Sequence, residues 1–417
     1  MKTKILHIND SFQDNSGSGI VAKATLDLFN NEDFESDYFT VKGYEYKDSK
    51  FEKYFPSSIC SIKDYLFNLF NYYYNIKSQQ NIMKVLKEYN PEIVHVHSLR
   101  SPSLTYSILK PIIIRKIPIV MTIHDCFIIC PMMTLIKGNG GYCVDVKCKN
   151  FNKFHCVFNH CGKNIEQSFR LALLSFINKI TRYDKYIAKF ITPSNALRNL
   201  ILKFDSDITP EKVITVNNFL YDGQFGEIQP CYENRGYFLY VGRLDKEKGL
   251  HYLLEAMKGL PRNIEVHIVG KGNEENNLKQ YAKENNLDNI KFLGFKRKEE
   301  LKEEYQNCIS SILPCNWFEI FGLTNVESFI NGKPVIASNI GAIPEIVEHN
   351  KTGLLFEPTN VQQLQSCIMN YWNNPAMVLE HGKNAYKKAL TTYTSIHYYR
   401  ELYKIYQGLG GKRTNEI

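Results

Sequence analysis

Two acidic residues, Glu319 and Glu327, stand eight positions apart in the run Asn316-Trp317-Phe318-Glu319-Ile320-Phe321-Gly322-Leu323-Thr324-Asn325-Val326-Glu327. The run follows a strand-like segment, Ser310–Leu313, and reads as the opening of a helix, with Glu319 in the loop before it. Gly322 and its neighbours Leu323 and Thr324 would then present backbone N–H groups at a helix N-terminus, a seat for phosphate or sugar oxygens. On spacing alone, Glu327 equally suits a surface carboxylate and Glu319 a charge complementing the helix dipole.

A second run, Tyr240-Val241-Gly242-Arg243-Leu244-Asp245-Lys246-Glu247-Lys248-Gly249, follows another strand. Arg243 and Lys248 on a glycine loop are what a diphosphate leaving group needs as negative charge develops on it. Taken alone, the same residues make a solvated charged turn. No Asp-x-Asp pair follows a strand in a position to hold a divalent ion, and Asp205-Ser206-Asp207 reads as a polar loop. The two cations make a catalytic metal or other cofactor unnecessary.

Six of the eleven cysteines fall between Cys126 and Cys161. Cys143, Cys148, Cys156 and Cys161 form two pairs with four intervening residues each, which makes them a candidate structural zinc site in a loop with little apolar content. Free, partly buried thiols are the alternative.

These residues need elements to position them. Strand-like runs at Lys4–Ile8, Ser36–Val41, Ile93–His97, Ile119–His124, Ile187–Thr192 and Val213–Val216 alternate with helical stretches such as Gln80–Glu88. Tyr237–Val241, Glu265–Val269, Ile290–Leu293, Ser310–Leu313 and Pro334–Ala337 repeat the pattern. Such alternation predicts parallel sheets covered on both faces, and 417 residues exceed one core's reach. The expected organisation is α/β: a Rossmann-like domain over 1–220, a linker at 221–235, and a second Rossmann-like domain over 236–393. An aromatic amphipathic helix over 394–410 would pack back on the first domain, with Thr394 or Ser395 as N-cap. Two doubly wound domains facing across a cleft would place the chemistry on loops after strands.

Together the two runs resemble glycosyltransferase family 4, the retaining enzymes with a Glu-x7-Glu motif and the GT-B fold. Ile93-Val94-His95-Val96-His97, Thr122-Ile123-His124-Asp125, Thr192-Pro193-Ser194, Gly332-Lys333-Pro334 and Gly341-Ala342-Ile343-Pro344-Glu345 match further family motifs in order. The resemblance implies a nucleotide-sugar donor. Glu319 would bind the donor sugar's hydroxyls, Glu327 the ribose, and Arg243 and Lys248 the diphosphate. Gly242, Phe321, Gly322, Leu323 and Thr324 would complete the donor site. His124 would touch donor sugar or acceptor, and a loop containing Gly17, Ser18 and Gly19 would lie near the acceptor. That loop has a serine between its glycines where the family often pairs them. The run His124-Asp125-Cys126-Phe127-Ile128-Ile129-Cys130-Pro131 and the cysteine-rich insert resemble bacterial surface-polysaccharide glycosyltransferases, implying hexosyl transfer from a UDP- or GDP-sugar to a saccharide acceptor carried on a polyprenyl diphosphate.

The charge is uneven: residues 1–225 hold 28 Lys+Arg against 21 Asp+Glu, and the rest 23 against 22. A basic first half attracts something anionic. No RNP, zinc-finger or recognition-helix pattern supports nucleic acid as that partner. Tyr65–Tyr74 and Phe169–Phe190 mix aromatic and aliphatic residues with lysines, and either could rest on an anionic membrane or face a core. The start reads as a strand rather than a secretory signal, which places the chain in the cytoplasm. Other readings of the same motifs are an epimerase or phosphorylase on this plan, or a catalytically silent nucleotide-sugar-binding module.

Overall fold

The computed structural model describes residues 2–13, 17–58, 72–138, 141–143, 146–162, 164–220, 229–233 and 236–410. Most of the expected linker, and Tyr65 to Asn71 of the first aromatic stripe, lie outside them. The chain divides into two compact units, Met1–Val216 with Tyr398–Ile417, and Asn217–His397. Asn217–Leu220 thus groups with the second unit rather than the first, where the Leu220 N–H donates to Tyr393 O at 3.0 Å.

The first unit carries a six-stranded sheet of β1 (Thr3–Ile8), β2 (Phe34–Phe39), β3 (Ile93–Val96), β4 (Ile119–Thr122), β5 (Ile187–Thr192) and β6 (Val213–Thr215). Its order is β2-β1-β3-β4-β5-β6 and every pairing is parallel. The second carries β7 (Tyr237–Val241), β8 (Glu265–Val269), β9 (Ile290–Gly294), β10 (Cys308–Leu313), β11 (Val335–Ser338) and β12 (Gly353–Phe356), in the order β12-β11-β10-β7-β8-β9, again parallel. In each sheet the order reverses once, between β1 and β3 and between β7 and β10. Those reversals are where open α/β sheets part their loops and bind ligands.

All six residues of β10 are buried, as are all of β3, β4 and β11. Helices on both faces produce this continuous apolar strand pattern. Four helices matter for the sites: α1 (Gly17–Leu28), α2 (Ile165–Thr181), α3 (Leu323–Ile330) and α4 (Ser395–Gly408). The Thr394 hydroxyl accepts the His397 N–H at 3.2 Å and caps α4. From Tyr398 onward α4 packs on the first unit: Tyr398 OH meets Thr25 Oγ1 at 2.9 Å, and Tyr406 OH meets His95 Nδ1 at 2.6 Å.

The stretch Phe169–Phe190 divides between elements: α2 stops at Thr181, Arg182 turns left-handed at φ 52°, and β5 begins at Ile187. Asp205-Ser206-Asp207 is the polar loop expected, with a further task. Lys179 on α2 is buried and binds Asp205 at 2.8 Å and Asp207 at 3.1 Å, so the segment anchors an otherwise costly buried cation.

Candidate functional site

In the second unit the chemistry gathers where β7, β10 and β11 end side by side. The loop after β10 carries Trp317 and Glu319, the loop after β7 carries Arg243 and Lys248, and the turn after β11 carries Gly341. Lys248 Nζ donates to Glu319 Oε2 at 2.8 Å, Trp317 Nε1–H donates to the same oxygen at 3.2 Å, and the ammonium lies 4.7 Å from the Trp317 ring centroid. Glu319 is buried and Lys248 nearly so, at 15% side-chain exposure. A carboxylate so placed needs its partners, and it has two charge- or dipole-bearing donors.

Backbone contacts fix this pair. Asn316 N–H donates to Glu247 O at 3.1 Å, tying the two loops together. Gly249, left-handed at φ 70°, passes so close to Pro314 that a Cβ there would stand 2.0 Å from its carbonyl oxygen. Gly341, at φ 61°, lies under Glu319 in the same way, 2.3 Å from that residue's oxygen were a Cβ present. Side chains at either glycine would push the two loops apart, so the conformational freedom is used for approach.

Gly322, at φ 91°, is the N-cap of α3, and α3 starts at Leu323. The Leu323 and Thr324 N–H groups open that helix and have no intrahelical acceptor, so they face the loop end as anion donors. Glu327, in the second turn of α3, is buried and accepts the Tyr305 hydroxyl at 2.9 Å. Phe321 differs from expectation. Its side chain is buried in the core with its ring 5.8 Å from Tyr393, so only its backbone is available to a ligand. Arg243 differs too: its guanidinium bonds Asp245 and reaches Glu247 at 3.1 Å, both on its own loop, and it is 60% exposed. Gly242 lies under Gly270, whose Cβ position would fall 1.8 Å from Gly242 O, so this loop packs as close backbone.

The first unit has its own set at the ends of β1, β3 and β4. An open pocket is lined by His97, Arg100, His124 and Asp125 over an apolar floor that includes Tyr106 and Phe127. Arg100 bonds Asp125, and its Nε–H donates to Ser98 Oγ at 2.8 Å. Asp10, after β1, receives the Ser98 hydroxyl at 2.7 Å and the Arg100 N–H at 3.0 Å, while burial pushes its carboxyl above the usual range. His124 Nε2 lies 3.3 Å from His97 Nδ1, and His97 Nε2 lies 3.4 Å from His7 Nδ1. Burial drives the protons off all of them: His7 and His124 are pushed down to about 3, and His95 and His97 well below the imidazole range. Each neutral ring carries one N–H, so a proton placed on one nitrogen sets the tautomers along His7, His97 and His124. Among the described residues, the group of three ligand atoms within 4.8 Å of one another is His7, His95 and His97. The nitrogens of His95 are already engaged by Tyr406 OH and Thr122 Oγ1.

Gly17, Ser18 and Gly19 were expected in a loop. They form the first turn of α1, with Gly19 buried. Sequence reasoning passed over Asp10, Arg100, Trp317 and Tyr305. Arg100 could have been found: a lone arginine just past the His-Val-His strand end stands where a ligand-facing cation belongs. Tyr305 carries no such signal, since it reaches Glu327 from another helix.

These features define a two-unit glycosyltransferase of GT-B type. A family model described as Glycosyltransferase Family 4 matches residues 45–220, and one described as Glycosyl transferases group 1 matches 225–388. The chain belongs to this glycosyltransferase family, with its family 4 part followed by its group 1 part. It is 28% identical over 207 residues to the uncharacterized glycosyltransferase MJ1178 of Methanocaldococcus jannaschii, covering 49% of this chain and 58% of that one. The chain thus spans less than two thirds of that relative's length. It is 26% identical over 328 residues to an uncharacterized 41.2 kDa protein in the cps region of Klebsiella pneumoniae, covering 67% of this chain and 89% of that one. The fold is shared with Anabaena HepE in complex with UDP-glucose at a TM-score of 0.68 and 16% identity, covering 97% and 99% of the two chains. Among the described residues, no helix is long and apolar enough to cross a membrane.

Proposed function

We propose that the chain transfers a hexosyl unit from a UDP- or GDP-sugar to a saccharide acceptor, with retention of configuration and without a catalytic metal ion, in bacterial polysaccharide biosynthesis on the cytoplasmic face of the membrane. The observation that carries this reading is the buried Lys248–Glu319 pair at the sheet's switch point, beside the N-terminus of α3. The cps-region relative and the UDP-glucose complex of HepE support the biology and the donor class.

In this reading the diphosphate lies against the Leu323 and Thr324 N–H groups with Lys248 as counter-charge. The ammonium has three donors and can hold Glu319 and a phosphate oxygen together. Glu319 accepts the sugar's hydroxyls and stabilises positive charge as the bond from C1 to the phosphate oxygen breaks. Glu327, oriented by Tyr305, accepts the ribose hydroxyls. The acceptor oxygen attacks C1 from the face the diphosphate leaves, and its proton passes to the departing phosphate oxygen. No protein nucleophile is needed. The first-unit pocket, with His124, Arg100 and Asp125 over Tyr106 and Phe127, binds the acceptor by polar contacts above an aromatic floor.

With cations neutralising the leaving group, EDTA is expected to leave the initial rate unchanged in a radiolabelled transfer assay. Loss of turnover restored by magnesium or manganese would overturn the metal-free mechanism. Product anomeric configuration, read by NMR coupling constants, tests retention. An epimerase would interconvert the donor sugar without an acceptor, and a silent module would bind donor and turn over nothing.

A lipid-linked acceptor calls for contact with the bilayer surface. Ile165, Phe169 and Ile180 on α2 are exposed, as is Phe158 just before it, and Arg170 and Lys185 lie nearby in sequence. Tyr72 and Tyr73 of the other aromatic stripe do not serve, because they are buried against Phe127 and Leu174. The chain is expected to co-sediment with phosphatidylglycerol vesicles and far less with phosphatidylcholine ones, and Phe158→Ser/Phe169→Ser is expected to release it. Equal sedimentation of that double variant with anionic vesicles sinks the assignment.

A further inference from the structure

The segment from Cys130 to Gly162 follows β4, and its described residues contain hardly any regular structure: one four-residue helix, His155–Phe158, and one isolated bridge, Ile136 to Tyr142. It nevertheless holds a defined path through costly conformations. Met133, Leu135, Val146, Asn150 and His160 all have positive φ, and Val146 does so at 37° with a β-branched side chain. Such residues persist where the surroundings over-determine them. Leu135 and Val146 supply some burial, but the feature the segment concentrates is sulfur.

Cys130, Cys143, Cys148, Cys156 and Cys161 line one small apolar pocket, with His155 at its wall, and all five are free thiols. Cys126 is buried but does not line that pocket. Burial pushes the Cys130 and Cys161 thiols up, and the Cys148 contact followed by burial does the same to Cys156, while Cys156 and Cys161 donate to the Lys153 and Asn159 carbonyls at 3.3 and 3.8 Å; backbone donors nevertheless reach several of the sulfurs. Cys130 accepts backbone N–H groups from Leu135 and Met132, Cys148 accepts the Cys156 N–H, and Cys161 accepts the Gly138 N–H. Cys148 and Cys156 also hydrogen-bond to each other through their thiols. Donated N–H groups stabilise thiolate over thiol, and thiolate is the form that binds a soft divalent cation. Apolar walls without a cation would disfavour that form.

We propose that Cys130, Cys148, Cys156 and Cys161 bind one structural zinc ion that staples this segment. The set exchanges Cys143 of the sequence expectation for Cys130, because Cys130 has the two N–H donors and lies at the segment's first turn. The sulfurs have to close on the metal. Among the described residues no three of them gather within 4.8 Å, whereas tetrahedral zinc holds each at about 2.3 Å. Zinc also suits the reduced state of all five thiols. The site stands apart from the transfer chemistry, and its test does not use activity.

The untagged full chain, purified without chelator, is expected to carry about one zinc by elemental analysis. Exchange with cobalt is expected to give the thiolate charge-transfer and tetrahedral ligand-field bands. Cys148→Ser and Cys161→Ser are expected to lose the metal, while Cys126→Ser and Cys143→Ser keep it. Should the variants fail to fold, titration of the parent chain's thiols with a mercurial is expected to release zinc in step with sulfur modification. A parent chain without zinc, which gains none on titration after reduction, overturns the proposal. So does full metal content in Cys148→Ser, or thiols freed only by reductant with no metal released.

Discussion

Glu319→Gln is expected to lower kcat/KM for sugar transfer by roughly a hundred- to a thousand-fold, the loss typical when one preorganised electrostatic contact to a developing charge is removed. In the proposed mechanism the carboxylate faces the place where positive charge gathers at C1, and it also holds Lys248 through a 2.8 Å contact. The amide retains the shape and the Trp317 hydrogen bond but loses the charge that does both tasks. Lys248→Met is expected to cost a similar factor, since it removes the counter-charge for the leaving diphosphate and leaves a buried carboxylate short of its cation. Because the two side chains act as one unit, the double variant is expected to be little worse than either single one. Most of the Glu319→Gln loss should fall on kcat, with donor affinity held by the α3 N-terminus and Glu327. A thermal melt for each variant separates lost chemistry from lost fold. Either single variant within about threefold of the parent, or strictly additive losses in the double, sinks the assignment of this pair to the reaction.

The parallel sheets were legible because their strands are short β-branched runs with helical stretches between them. Among the described residues, eleven of the twelve strands coincide with such runs to within a few residues. β12, Gly353–Phe356, escaped because it is four residues long, begins with glycine and carries no alternation to count. Glu319, Lys248 and Glu327 were legible as motif members following strand ends, and position along the chain sufficed for them. Arg243 was read to reach the same centre, but Asp245 and Glu247, two and four residues on, capture its guanidinium, a local competition that motif spacing does not weigh. The histidine chain was invisible for a different reason. His7, His97 and His124 come from three strand ends that become neighbours only through the order β1-β3-β4, and His7↔His95 is a register pair across two strands 88 residues apart. The Lys179 ion pair was not legible either, because its partner, Asp205, lies beyond the next strand.

That histidine chain gives the molecule an acid-labile core. A buried imidazole with a depressed pKa is neutral in the folded state and protonates in the unfolded one, so between the two values the unfolded chain binds more protons. Stability is therefore flat above the unfolded value near 6.5 and falls as pH drops below it, continuing toward the folded value. His7 and His124, both pushed down to about 3, mainly by burial and then by Lys47 and Arg100 respectively, set that window at pH 6.5 to 3. At pH 5 each costs about 2 kcal/mol, from 1.36 kcal/mol per pH unit below the unfolded value. His95 and His97 shift the same way, and so do the less buried His251 and His381. Two such residues already consume a large part of the roughly 5–15 kcal/mol that a domain has in hand. The depressed carboxylates Glu304 and Glu348 also destabilise on acidification, but only as pH falls below the ordinary carboxylate range, so the interval from 6.5 to 5 isolates the imidazoles. Melts followed by circular dichroism are expected to show little change from pH 8 to 7 and a steep fall in midpoint from pH 6.5 to 5, accompanied by proton uptake on unfolding. His7→Phe, which retains the ring's bulk without a titrating nitrogen, is expected to be less stable at pH 8 because His97 loses its partner. It is also expected to fall less steeply with acid. A midpoint that rises on acidification, or a slope unchanged in His7→Phe, would show that these rings are charged or solvated and that the buried neutral chain does not exist.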